Sequence, residues 1–111
     1  VAGGVAQGMG GAFYEKLDYD EDGSLRNAGF MDFLIPYATE IPDIEILHQE
    51  TPSPLNPLGI KGVGEAGTIP VAQVIASAID DALRPLNLPP LWSVPLSPSL
   101  LYAHVTAGGA R

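Results

Sequence analysis

Residues 59–68, Gly-Ile-Lys-Gly-Val-Gly-Glu-Ala-Gly-Thr, crowd glycines around one lysine and one glutamate. Such a loop leaves backbone N–H groups open to a ligand, and the positive end of a helix that follows attracts the same negative charge. Lys61 adds a point charge. Glu65 does not suit a pure phosphate cradle, whereas a carboxylate held ionised beside a reactive centre is a general base. A duller reading, that Glu65 only occupies the turn before the helix and interacts with its N-terminus, fits the spacing equally well.

Two other motifs fail on context. Gly62, Gly64 and Gly67 spell G-x-G-x-x-G. A dinucleotide-binding turn needs a buried strand directly upstream, and here Pro52, Pro54 and Pro57 precede it; Asp80 and Asp81 are too near to be the ribose-binding acid. Asp18, Asp20, Asp22 and Gly23 match the first half of a calcium-binding EF-hand loop, but Gly29 stands where the bidentate glutamate is required. A solvated hairpin tip is the better reading, with a calcium-binding module as the least favoured function.

The elements that must position Glu65 follow from periodicity. Val1, Val5, Met9, Phe13 and Leu17, with Ala12 beside them, predict a helix over about 1–16. Gly3, Gly4, Gly8, Gly10 and Gly11 each cost this helix about 1 kcal/mol relative to Ala, so a close approach by another backbone or a ligand must offset them. Asp22-Gly23 between two short segments predicts a hairpin. The alternation of Ile44, Ile46 and His48 with Glu45 and Gln49 predicts a strand over 43–50. The prolines of Thr51 to Leu58 predict an extended lead into the loop. Val71, Val74, Ile75, Ala78, Ile79 and Leu83 predict a second helix over about 69–84, with Thr68 as N-cap and Pro70 in the first turn, ending at Arg84 before Pro85. Residues 85–111 are expected to run as an extended tail with a loose end. The resulting fold class is α+β.

Composition narrows the partners. The chain has 111 residues, 46% apolar and 16% charged, which is globular rather than disordered, and 13 glycines with 11 prolines imply many turns and a modest core. A formal charge of -8 disfavours nucleic acid and anionic membranes. Cysteine is absent, so disulfides, iron–sulfur ligation and thiolate zinc sites are excluded within this sequence. No apolar run reaches the roughly 20 residues of a membrane span, and the start lacks a signal-peptide layout, so a cytoplasmic location is expected. The sequence begins at Val1 already in helical register, as a piece of a longer protein would.

Several segments together resemble the molybdenum hydroxylases, the family of the molybdopterin-binding large subunits of carbon monoxide dehydrogenase, xanthine dehydrogenase and aldehyde oxidase. They are Gly3-Gly4-Val5-Ala6-Gln7-Gly8, Phe30 to Pro36, Glu50 to Gly59 and Lys61-Gly62-Val63-Gly64-Glu65-Ala66-Gly67-Thr68, in family order, with Pro95-Leu96-Ser97-Pro98 resembling the usual ending.

The resemblance implies a C-terminal portion of such a subunit, residues 1–84 being part of its molybdopterin-binding domain and 85–111 a tail. It implies a reaction in which a metal-bound hydroxyl attacks an electrophilic carbon of a small substrate and Glu65 takes the hydroxyl proton. Gln7 would hydrogen-bond the pterin and Lys61, Gly62, Val63 and Gly64 would line it, while no residue here would ligate the metal. The cofactor implied is molybdopterin, plain or extended as the cytosine dinucleotide. The partners implied are the remainder of the large subunit and iron–sulfur and FAD subunits or domains, in a homo-oligomer or a dimer of heterotrimers. Alone, the 111 residues are expected to hold no cofactor and to be inactive. The alternative is a non-catalytic, partner-binding module that keeps the fold.

Overall fold

The structure, a computed structural model, describes residues 1–108. Its first helix, α1, spans Ala2–Phe13. Glycines are poor helix formers, and tertiary contact explains the ones on one side. A Cβ on Gly4 would lie 3.1 Å from Thr68 Oγ1 and 3.2 Å from Gly67 Cα, and one on Gly8 would lie 2.6 Å from Val71 Cβ. A glycine stripe therefore lets α1 sit directly on the chain that leads into the next helix. The expected stripe of large apolar residues is not the buried one: Gly8, Gly10 and Ala12 are buried, while Val1 and Leu17 are 57% and 54% exposed.

A minimal hairpin follows. Tyr19 and Leu25 form an isolated antiparallel bridge, and Asp20 Oδ1 accepts the N–H groups of Asp22 and Ser24 at 3.0 and 2.8 Å. Gly23 takes the left-handed conformation at φ 81° that the Asp-Gly pair predicts. Asp20 is thus spent on shaping the turn, and among the described residues no group of His, Asp or Glu is arranged to hold a metal. Beyond it, a 3-10 turn over Ala38–Glu40 is closed by Tyr37 N–H donating to Glu40 Oε2, and the Tyr14 hydroxyl donates to the other oxygen of Glu40 at 3.1 Å.

The α+β expectation needs correction. Among the described residues there are three α-helices and no strand longer than that single bridge. Residues 43–50 alternate as a strand would, yet form no ladder. A strand exists only when a neighbour pairs its N–H and C=O groups, which alternation alone cannot supply.

The second helix, α2, spans Val71–Leu83 and continues as a 3-10 turn over Arg84–Leu86 that Asn87 ends in the left-handed region. Thr68 does not cap it: its Oγ1 donates to Gly4 O at 2.9 Å, tying the approach to α2 onto α1. The tail is less extended than expected. Leu91 N–H donates to Asp80 Oδ1, and Leu96 N–H donates to Ala12 O at 2.6 Å, satisfying a carbonyl at the open end of α1. A third helix, α3, then spans Pro98–Gly108, its first turn receiving the Ser97 hydroxyl as acceptor for Leu100 N–H. Ser97 as cap with Pro98 at the first helical position is a start signal that the proline content of this region hides. The loose end expected over 106–111 is helical in its first half, since α3 continues through Thr106, Ala107 and Gly108; residues 109–111 lie outside the described residues.

The core is small. Ala12, Val71 and Leu96 are its buried apolar residues, where α1, α2 and the returning tail meet. The radius of gyration is 18.1 Å, against about 13 Å for a compact domain of this length.

Candidate functional site

The glycine loop is an arch fixed at both feet. Upstream, Ser53 N–H donates to Gly59 O, Gly59 N–H to Asn56 O, and the Asn56 carboxamide pairs with both backbone groups of Ile60 at 2.9 Å. Gly59 is required there, with φ 65° and no room for a Cβ beside Pro52. Downstream, Glu65 O accepts the N–H groups of Thr68 and Ile69, Gly67 packs against Val1 and Gly4 of α1, and Thr68 hydrogen-bonds Gly4.

Between the feet the chain is open. Among the described residues, the N–H groups of Lys61, Gly62, Val63, Gly64 and Glu65 have no acceptor, and Cβ atoms on Gly62 and Gly64 would touch nothing within 4 Å. The Glu65 side chain is exposed and forms neither an ion pair nor a hydrogen bond with a described residue. The Lys61 ammonium donates to Thr51 Oγ1 at 2.8 Å, so its charge lies over the upstream foot, beside a cavity of about 490 Å³ lined by Gln49, Glu50, Thr51, Leu58 and Val63.

One expectation about the arch changes. The helix does not open directly behind Glu65: turns fill 64–70, and α2 begins at Val71, whose N–H already donates to Thr68 O. The open N–H run and the helix end are therefore separate. Gln7 lies on α1 with its side chain exposed, and the Gly3 and Gly11 positions, four residues either side of it, are open. The structure brings α1 against the downstream foot through Gly4 and Gly8, but no hydrogen bond joins Gln7 to residues 61–64 among the described residues.

A run of donors unpaired among the described residues, next to an exposed carboxylate and held against a glycine-faced helix, is chemically suited to an acceptor-rich ligand. The family model for a molybdopterin cofactor-binding domain matches residues 1–42. The gamma subunit of the 6-hydroxypseudooxynicotine dehydrogenase complex of Paenarthrobacter nicotinovorans is 46% identical over 84 residues, 75% of this chain and 11% of that protein. The carbon monoxide dehydrogenase large chain of Afipia carboxidovorans is 39% identical over 87 residues, 78% of this chain and 11% of its own length. The crystal structure of quinoline 2-oxidoreductase from Pseudomonas putida 86 superposes with a TM-score of 0.89 at 40% identity, covering 96% of this chain and 13% of that one. The chain belongs to the molybdopterin-binding family of molybdenum hydroxylases, whose members include xanthine dehydrogenase and aldehyde oxidase. It spans about a tenth of the length of the dehydrogenase-complex and carbon monoxide dehydrogenase relatives, and less of the aldehyde oxidase.

Proposed function

We propose that these residues form part of a molybdopterin-dependent oxidoreductase subunit that hydroxylates or oxidises a small substrate at an electrophilic carbon, with Glu65 as general base. The observation that carries this is the arch itself: five consecutive N–H groups unpaired among the described residues, ending at an exposed carboxylate. The donor set suits an acceptor-rich, anionic cofactor, which when bound supplies the redox chemistry. The N–H groups of Lys61, Gly62, Val63 and Gly64 line it, and the exposed Gln7 carboxamide donates to it or accepts from it. The open Gly62 and Gly64 positions let the backbone approach it closely. Glu65 takes up the proton given off as oxygen bonds to the substrate carbon, and then releases it to solvent.

In this reading residues 1–84 belong to the molybdopterin-binding domain and 85–111 are its tail. The remainder of a large subunit completes the site, and iron–sulfur and flavin partners carry electrons away, in an oligomer of such assemblies in the cytoplasm. The relatives named as a complex subunit and as a large chain support such partners. Among the described residues no helix is long and apolar enough to cross a membrane.

The test is Glu65→Gln in the full-length enzyme, assayed with a dye acceptor on quinoline, carbon monoxide and an aromatic aldehyde. With whichever substrate the parent enzyme oxidises, E65Q should lose turnover by at least about 100-fold while keeping its molybdenum. Parental turnover at equal metal content rules out the base.

A further inference from the structure

Resting on that reading, we infer that Asn56 is a positioning residue for Glu65. Its carboxamide acts as a surrogate strand partner for a single residue: Oδ1 accepts Ile60 N–H at 2.9 Å and Nδ2 donates to Ile60 O at 2.9 Å. The Asn56 backbone carbonyl also accepts Gly59 N–H at 3.1 Å, so one residue sets the direction of the chain at both positions just before the arch.

The arch needs this because the backbone of Lys61 and Gly62 makes no hydrogen bond among the described residues, its internal bonds beginning only at the Val63 carbonyl. No described residue accepts the N–H groups of Lys61 to Glu65, and the first internal bond after Ile60 is Ala66 N–H to Val63 O at 3.2 Å. Its path is therefore set from its feet. The downstream foot is held by Gly67 and Thr68 against α1, and the upstream foot by Asn56, with Lys61 to Thr51 as a second, exposed contact. Loss of the carboxamide frees Ile60 to rotate and lets the limb from Ile60 to Gly64 swing about the downstream turn, changing the direction in which the chain enters Glu65 and moving its carboxylate off the proton it must take. Misplacing a reacting group by about 1 Å costs on the order of 100-fold in rate. Because the effect is on the base and not on substrate contacts, it falls on kcat.

The experiment uses the full molybdenum enzyme and the substrate found active above, with Asn56→Ala, Asn56→Asp and Glu65→Gln made in parallel. N56A should lose about 10- to 100-fold in kcat per bound molybdenum with KM within about two-fold. N56D, which keeps the acceptor for Ile60 N–H, should recover part of the loss. Hydrogen exchange of the metal-free protein should show the Ile60 amide released in N56A and retained in N56D. Full kcat per molybdenum in N56A, a rise in KM at constant kcat, or N56D as impaired as N56A overturns the assignment. Should N56A fail to accumulate, N56D alone decides: parental kcat per molybdenum overturns it, and a several-fold loss at unchanged KM supports it. E65Q separates the two readings, since an inactive E65Q beside a fully active N56A removes only Asn56, whereas an active E65Q removes the base itself.

Discussion

Polar side chains divide by whether the described residues already use them. Asp20, Asn56 and Glu40 accept backbone or hydroxyl donors, and the Thr68 hydroxyl donates to a backbone carbonyl. Gln7 and Glu65 are exposed, and their side chains make no hydrogen bond with a described residue. Tyr14 offers a titration at this scale. Partial burial and the Glu40 carboxylate that accepts its hydroxyl hold its phenol above the ordinary value of 10.0. A raised folded-state value means that the stability tied to the neutral phenol is complete below about pH 10 and is lost as pH rises from there through the folded value. Ultraviolet difference titration against Tyr14→Phe should therefore place the Tyr14 ionisation above 10.0, and Glu40→Gln should bring it back toward 10.0.

Between elements, the contact of α1 with the foot of the arch is made of missing side chains. Gly8 has Val71 where its Cβ would be, so Gly8→Ala overpacks the junction and should lower the opening free energy of α1 by about 1–3 kcal/mol. Gly11 has nothing within 4 Å. There Ala restores helix propensity, and Gly11→Ala should raise the same quantity by about 0.5–1 kcal/mol. Amide hydrogen exchange across Ala2–Phe13 in the full subunit measures both, and opposite signs are the expected result. Changes of equal sign would mean that propensity, not packing, governs this helix.

For the molecule as a whole, exposure is the dominant fact. Phe30, Met31, Leu55 and Trp92 are each at least 87% exposed, and the extents are 59 × 39 × 28 Å. Among the described residues, a core of Ala12, Val71 and Leu96 buries too little apolar surface to offset the conformational entropy of ordering them. The 111 residues expressed alone should melt without cooperativity, bind an apolar dye and elute larger than their mass on gel filtration. A sharp, monomeric, dye-free species would instead show that these residues fold on their own, and would count against a module that binds a partner through its exposed apolar surfaces.

Local chemistry in the sequence determined what local chemistry can. The periodicity from Val71 to Leu83 marks α2, Asp22-Gly23 marks the turn, and the run from Lys61 to Thr68 marks both the arch and the family. Each rests on near neighbours in the chain. Tertiary structure alone decided that Gly4 and Gly8 face Gly67 and Val71, that Thr68 reaches α1 instead of capping α2, and that residues 43–50 remain unpaired. Those outcomes depend on what lies opposite a residue. A glycine stripe looks the same in sequence whether it meets a backbone or a ligand, and an alternating segment looks the same whether or not a neighbouring strand is there to pair it.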